Sequence, residues 1–231
     1  MHSFSMDLTL RLAGAALAAA LLTGPATAAD DYSPAERALF MTNHLAGTQP
    51  PATLRYSFSK SGSMEEGFED KVAVKLKARS DGKCCLAEAE FLSGARRLAL
   101  PEVDEAQGNP AVLYFLERDI REMNRLTKGQ QNYFRKRIRM AVYQGAQIQD
   151  VSVSFRGKPV AAREISIAPY LDDPLRVRFE KLANKRYVFT LSDAVPGGLY
   201  AIRTRIDGAS ADAAPLIVEE MVLDGGVATP R

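Results

Sequence analysis

Hydrophobic and polar positions alternate in two segments between residues 50 and 80. Segments 54–59 and 71–78 both place an apolar residue at every second position, and lysines occupy much of the polar side of the second segment. This period-two pattern is typical of strands with one buried face. Asp81-Gly82 predicts a hairpin turn into a third strand over 83–92, which contains Cys84-Cys85 near its start. The sequence therefore predicts neighbouring antiparallel strands in this region.

Helical patterns appear in two places. Ser33 followed by Pro34 and Glu36 is a capping-box start, and it predicts a first helix that runs to about Ala46. In the middle of the chain, Asn109-Pro110 predicts the start of a second helix, in which apolar residues recur at helical spacing. A third, basic helix follows the Lys128-Gly129 break and ends near Gly145.

Strand patterns return in the last third of the chain. The predicted strands lie at 151–155, 160–167, 175–179, 186–192, 199–206 and 216–223, with a short polar linker at 208–215 before the last one. Short turns join nearly all of them, which favours antiparallel pairing. The fold class is therefore predicted as α+β: a curved antiparallel sheet of about nine or ten strands with an N-terminal helix and a central helical pair packed on it. Residues 30–231 are predicted to form a single domain.

The first 29 residues have the layout of a secretory signal peptide. Arg11 precedes an apolar run of about a dozen residues, shorter than a bilayer-spanning helix needs, and small residues lead to a cleavage site after Ala29, with Ala28 as the alternative. A retained membrane anchor is the other interpretation of this segment. We therefore expect an exported, periplasmic protein. The 231-residue chain carries a net charge of only +2, which implies no particular class of partner, and a 46% hydrophobic composition indicates a globular fold.

Candidate catalytic chemistry is sparse. His44 is the one histidine after the predicted signal peptide, so a serine–histidine–carboxylate triad would have to use it, and there is no G-x-S-x-G motif. Ser57 and Lys60 match an S-x-x-K spacing but lie in a strand pattern. The acidic stretch 65–70 lacks calcium-loop spacing and is interpreted as a solvated turn facing basic side chains. No catalytic residue, metal site or cofactor is predicted, and an enzyme, for example a hydrolase, is the least favoured class.

Cys84 and Cys85 are adjacent in a predicted strand, where neighbouring side chains point to opposite faces. An exported protein meets oxidants, which favours pairing of two thiols. Three interpretations stay open from the sequence: two small apolar strand residues, a disulfide between these neighbours, or a bond to another chain or a transient metal or redox role.

The third helix carries a cluster of basic residues. Phe134, Ile138 and Val142 fall on one side of the helix, and Arg135, Lys136 and Arg139 form a basic surface on the other. Arg137 lies beside the apolar stripe and is expected to reach an acidic group such as Glu69, Asp70 or Glu88. The basic surface is interpreted either as a solvated face or as a contact with anionic lipid headgroups. Nucleic acid is not expected, because export removes that partner.

The order of these elements resembles the half-open β-barrel of the exported lipoprotein-carrier family of the Lol type. The shared layout is a signal peptide, an N-terminal helix, several hairpin strands, a helical insertion and further strands; no family motif is matched, so no functional residue is carried over. The resemblance implies a cavity between sheet and helices that accepts acyl chains. The apolar residues that would line it are Tyr56, Phe58, Val72, Val74, Leu76, Leu116, Ile120 and Met123. Plain core packing is the open alternative for each of them.

These observations support two main hypotheses. The first is a non-catalytic periplasmic binding or carrier protein for a lipid or other apolar ligand. The second is a periplasmic interaction or assembly factor that works through its surface, against a membrane or a protein partner. An apolar cavity of several hundred cubic ångströms would favour the first, and a filled core with an exposed apolar patch would favour the second.

Overall fold

One antiparallel sheet of eight strands forms the framework of this computed structural model, which describes residues 32–210 and 212–228. The predicted signal peptide, residues 1–29, and its cleavage site lie outside the described residues. The strands are β1 Ala52–Ser61, β2 Phe68–Ala78, β3 Cys84–Phe91, β4 Gln147–Phe155, β5 Lys158–Ile167, β6 Arg186–Leu191, β7 Leu199–Ile206 and β8 Ile217–Leu223.

The strand order is β3-β2-β1-β8-β7-β6-β5-β4, so two hairpin-connected runs meet where β1 pairs with β8. Every neighbouring pair is antiparallel, as predicted, including β1 with β8, which no turn connects. β3 and β4 lie at opposite ends of this order and leave the curved sheet open. The predicted α+β class and antiparallel curved sheet are confirmed.

The predicted strand count of nine or ten is wrong, because the described residues contain eight strands. The clearest error is segment 175–179, where two short 3₁₀ helices, Arg176–Arg178 and Glu180–Asn184, replace the predicted strand. Asp173 accounts for the turn, since its Oδ1 accepts a hydrogen bond from the Leu175 N–H at 2.7 Å. Alternation along 175–179 therefore does not reflect a sheet face: Phe179 is buried against other aromatic rings, and Val177 is 84% exposed.

Three helices cover one face of the sheet. In the first, a turn of α-helix, Pro34–Glu36, continues into a π-helix, Arg37–Met41; together they are called α1 here. The predicted capping box is present, because Ser33 Oγ accepts from the Glu36 N–H and Glu36 Oε2 accepts from the Ser33 N–H. The helix ends at Met41, earlier than the predicted Ala46.

The central helical pair is confirmed as α2, Pro110–Thr127, and α3, Gln131–Gln144. Asn109 caps α2 by accepting from the Ala111 N–H at 3.0 Å, and Lys128 ends it in the left-handed conformation. The short connection makes the two helices an antiparallel hairpin. The buried side chains of α3 are Phe134, Ile138 and Val142, as the helical wheel predicted.

Candidate functional site

An open groove lined mostly by apolar side chains lies between α1, α2, α3 and the loop that follows β3. Its volume is about 630 Å³. We call it the apolar groove; its lining residues are Tyr32, Glu36, Phe40, Met41, Leu100, Pro101, Val103, Leu113, Tyr114, Leu116, Glu117, Ile120, Arg121, Arg135, Ile138 and Arg139.

The groove floor is apolar and firmly packed, whereas its rim is apolar and exposed. Leu116, Ile120 and Ile138 line the groove but are otherwise buried in the core. At the rim, Tyr32 is 46% exposed, and Met41 and Leu113 are each 52% exposed. A concave apolar surface of this kind is the usual form of a ligand site, and its volume falls within the roughly 300–1,000 Å³ typical of such sites.

Hydrogen bonds between neighbouring elements fix the groove walls. Ser33 Oγ donates to the Val142 carbonyl at 3.2 Å, which ties the start of α1 to the end of α3. On the opposite wall, Ala87 and Val103 exchange two backbone hydrogen bonds of 2.9 Å, which hold the loop against the edge of β3. The Tyr114 hydroxyl donates to the Pro101 carbonyl at 3.1 Å and joins that loop to α2. The walls are thus set by contacts between different elements, one of which joins residues 109 positions apart in sequence.

The charged residues of the groove are unevenly paired. Glu117 accepts from Arg121 Nε at 3.1 Å and from Arg135 Nη2 at 2.8 Å, so one carboxylate serves two guanidinium groups. Arg139 is exposed and, within residues 32–210 and 212–228, makes no hydrogen bond or ion pair. Of the predicted basic surface, Arg135 and Arg139 therefore face the groove, and Lys136 lies exposed beside them.

The predicted ligand-cavity residues divide between the groove and the core. Leu116 and Ile120 line the groove. The other six pack in the hydrophobic core between the sheet and α2: Tyr56, Phe58, Val72, Val74, Leu76 and Met123. Phe58 shows how filled this space is, because its ring lies 5.7 Å from that of Phe68 and 6.3 Å from that of Phe115. The side chains that the sequence pattern selected thus support the groove more than they line it.

A buried ionic network, missed by the sequence reasoning, fixes α2 to the sheet. It comprises the cations Lys60, Arg118 and Lys185 and the anions Asp119, Glu122 and Glu219. Arg118 Nη1 lies 2.6 Å from Glu219 Oε1, Lys60 Nζ lies 2.8 Å from Glu122 Oε1, and Lys185 pairs directly with Asp119. Glu65 and Arg125 extend the network towards the surface by pairing with Lys60 and Glu122, so that four cations face four anions. The network is therefore neutral, which is the condition under which buried charges persist.

The network shifts the protonation of its carboxyl groups. Burial alone would raise the pKa of Glu122, but hydrogen bonds from Arg125 and Lys60 outweigh it and hold that pKa well below its usual range. The same balance applies at Glu219, where burial is outweighed by the charges of Arg118 and Lys185, so its pKa is also lowered. Both groups therefore stay ionised at neutral pH.

The sequence did contain a signal for this network, because some charged residues occupy strand positions that the alternating pattern assigns to the buried face. Lys60 follows Leu54, Tyr56 and Phe58 on the buried side of β1, and Glu219 lies between buried residues on β8. In α2, Asp119 falls within the apolar stripe. A charged residue at a core-facing position requires an oppositely charged or hydrogen-bonding partner. Which residue serves as that partner depends on which elements pack together.

A second, smaller cleft of about 290 Å³ contains His44, Asp150, Ser192 and Asp193. This collection of side chains is what a hydrolase would need, but its hydrogen bonds are those of a structural site. His44 Nδ1 accepts from the Asn109 N–H at 3.2 Å, and burial lowers the pKa of this histidine. Ser192 Oγ donates to the Ala161 carbonyl at 2.6 Å instead of to a base. The cleft thus lacks an activated nucleophile.

Cys84 and Cys85 form a disulfide with each other at the start of β3. Cys85 is fully buried on the core side, and Cys84 is half-buried. The Cys85 carbonyl accepts from the Ala106 N–H at 2.9 Å, so this end of β3 also anchors the loop that forms one groove wall. The pairing is the second of the three interpretations that the sequence left open.

The predicted partners of Arg137 were wrong. Arg137 Nε lies 2.8 Å from Asp173 Oδ2, and not near Glu69, Asp70 or Glu88. Tyr133 donates to the same carboxylate at 2.6 Å, which fixes the loop before β6 against α3. In the acidic stretch, Glu65 pairs with Lys60 at 2.6 Å and also with Arg125 of α2.

Comparisons with known proteins give little further information. No protein-family model matches the sequence, and no curated protein sequence matches it. Among solved structures, lipoprotein LppX of Mycobacterium tuberculosis is similar at a TM-score of 0.32 and 9% sequence identity, covering 82% of this chain and 93% of LppX. No helix within the described residues is long and apolar enough to cross a membrane. The function proposed below therefore depends on the groove itself.

Proposed function

We propose that this protein is a non-catalytic binding or carrier protein that takes a lipid or other apolar ligand into the apolar groove. The observation that carries this proposal is a groove of about 630 Å³ whose floor is formed by buried aliphatic side chains and whose rim leaves Tyr32, Met41 and Leu113 exposed. Apolar surface is normally covered, and a ligand with an alkyl chain would cover it. The proposal includes the exported location predicted from residues 1–29.

The groove geometry favours a narrow ligand over a broad protein surface. Four separate segments wall it: α1, α2, α3 and the loop held to β3. A chain lying along Leu116, Ile120 and Ile138 would be removed from water on most sides. Each buried methylene contributes at most about 0.8 kcal/mol, so affinity should rise up to about fourfold per added carbon until the groove is full.

The direct test is native mass spectrometry of protein purified from the periplasm, followed by denaturing extraction into organic solvent. A reproducible added mass that extracts would identify the ligand class. In parallel, a neutral fluorescent apolar probe is titrated into the purified protein and displaced with alcohols of increasing chain length.

Leu113→Glu places a charge at the exposed rim, where folding should tolerate it. The variant should bind the probe about tenfold more weakly or worse, because the ligand would have to desolvate a carboxylate. Val177→Glu is the matched control, since Val177 is exposed far outside the groove lining, and it should bind as the unmodified chain does. Equal binding by both variants, or no probe binding and no added mass, would overturn the proposal and leave the surface-acting interaction factor as the remaining hypothesis.

A further inference from the structure

Three arginines and two glutamates line the apolar groove, and their charges do not cancel locally. Glu117 is shared by Arg121 and Arg135, whose nitrogens lie 3.1 Å and 2.8 Å from its oxygens. The second carboxylate, Glu36, is mostly buried and accepts from the Ser33 N–H at 2.9 Å as part of the α1 capping box. Neither carboxylate pairs with Arg139.

Arg139 is therefore a cation without a counter-charge at the edge of an apolar surface. Within the described residues it makes no ion pair or hydrogen bond, and it is exposed. Lys136, one helical turn earlier on α3, is also exposed and makes no ion pair or hydrogen bond within those ranges. Residues three apart lie on the same side of a helix, so the two positive charges reinforce each other at this end of the groove.

The position of Arg139 relative to the groove floor follows from the helical hairpin. Arg135 of α3 contacts Glu117 of α2, and the two helices run in opposite directions. One turn forward on α3 therefore corresponds to one turn back on α2, which places Arg139 at the level of exposed Leu113. Ile138, next to Arg139 in sequence, forms part of the buried floor. An apolar surface thus leads directly to an unpaired guanidinium.

We infer that the apolar groove selects an amphiphile with an anionic headgroup, a carboxylate or a phosphate monoester, and that Arg139 binds that headgroup at the rim. The inference rests on the proposed function, because the alkyl chain must occupy the groove for the headgroup to reach Arg139. A guanidinium matches both oxyanions with two parallel N–H donors, and such charge-assisted hydrogen bonds are stronger than neutral ones. A neutral headgroup would gain no such contact, and a cationic one would be repelled.

The experiment compares ligands that share a twelve-carbon chain and differ in headgroup. The protein, expressed from the full 231-residue chain and freed of bound lipid, is titrated by calorimetry with dodecanoate, dodecyl phosphate, dodecyl glucoside and dodecyltrimethylammonium, each below its micelle concentration. Acetate and inorganic phosphate are included as headgroups without a chain. We expect the two anionic amphiphiles to bind about tenfold more tightly than the glucoside, and the free anions not to compete.

Arg139→Gln should remove most of that preference, weakening the anionic ligands about tenfold and leaving the glucoside unchanged. Arg178→Gln is the matched control, an exposed arginine outside the groove lining, and should bind every ligand as the unmodified chain does. Thermal melting should be unchanged in both variants. Raising the salt concentration should narrow the gap between the anionic and neutral ligands, because screening weakens an exposed charge.

The outcomes separate the headgroup inference from the proposed function. Equal affinity for all headgroups, or anionic binding unaffected by Arg139→Gln, would overturn the inference while leaving the groove as an apolar-ligand site. If inorganic phosphate alone displaced the anionic amphiphiles, Arg139 would be a binding site for a free anion. That result would also overturn the headgroup inference. Binding of none of the amphiphiles would remove the proposed function itself.

Discussion

The two sides of α2 differ in which side chains they bury: the sheet-facing side buries charged side chains, and the groove-facing side leaves apolar surface open. On the side facing the sheet, Arg118, Asp119 and Glu122 enter the buried ionic network. On the side facing the groove, Leu113 is half exposed and Leu116 and Ile120 form an open apolar floor. The sheet-facing side also buries apolar residues such as Phe115 and Met123, as a surface helix normally does, and the charged residues are an addition to that apolar stripe.

The difference shows how a helix can keep an exposed apolar surface in a fixed position. The exposed rim residues of the groove, such as Met41 and Leu113, contribute less to folding than buried residues, because they remain in contact with water. The position of α2 is instead fixed from the other side, where directional ion pairs join it to β1, to β8 and to the start of β6. The sheet-facing side therefore gives stability and position, and the groove-facing side keeps apolar surface open to solvent.

The largest expected effect on stability comes from removing a buried ion pair on the sheet-facing side of α2. Asp119→Ala removes the carboxylate that pairs with Lys185 and accepts from the Tyr187 hydroxyl at 2.6 Å, and leaves a buried ammonium with an incomplete partner. We expect the free energy of unfolding to fall by about 3–5 kcal/mol, measured by urea denaturation. Glu90→Ala, which removes an exposed pair with Lys75, is the control and should change stability little. A loss as small as that of the control would mean that the network does not fix α2.

A smaller effect should appear in the pH dependence of stability. The folded-state pKa of Glu122 is lowered, so its contribution is present above the unfolded value of about 4.3 and is lost as pH falls towards the folded value. Glu122→Gln should therefore be less stable than the unmodified chain at pH 7, and the difference should shrink as the pH is lowered through 4.

Chemical denaturation at several pH values measures this difference. Arg139→Gln, on the groove side, should follow the same pH curve as the unmodified chain. A difference between Glu122→Gln and the unmodified chain that stays constant from pH 7 to pH 3 would contradict the assignment of an ionised, charge-stabilised Glu122.

The smallest effect concerns the ion pair between Glu117 and Arg135 on the groove-facing side of α2. Glu117 and Arg135 are partly exposed, at 25% and 42% of their side-chain surface, so solvent screens their attraction. A double-mutant cycle with Glu117→Gln and Arg135→Gln should give a coupling energy of roughly 0.2–1 kcal/mol. A coupling as large as that of the buried pairs would show that the two sides of α2 do not differ as described.

Local patterns predicted most elements of the fold, because their causes are local. Alternation located β1, β2 and β7, and the Asn109-Pro110 and Ser33–Glu36 signals located the starts of two helices. The prediction failed at 175–179, where a tertiary contact decided the structure: Arg137 binds Asp173, and Asp173 caps the turn that replaces the strand.

The candidate site was less predictable than the fold. The cavity was expected between the sheet and the helices, yet Tyr56 and Phe58 fill that space, and the groove lies on the far side of α2. Alternation identifies which residues of a strand face inward, but it carries no information on how closely the next layer packs. The loop wall at Leu100, Pro101 and Val103 has no periodic pattern and was therefore not assigned to any site.

The sequence by itself determined the fold class, the pairing of strands joined by short turns, the helical hairpin and the basic surface of α3, because each depends on patterns that are local in the chain. Only the tertiary structure decided which basic residues are neutralised and where apolar surface stays open. Glu117 of α2 reaches Arg135 of α3, and Glu219 reaches Arg118 across more than half the described chain. Among residues 32–210 and 212–228, Arg139 has no ion-pair or hydrogen-bond partner. Charge pairing and cavities depend on distances between segments, and those distances are fixed only when the segments pack.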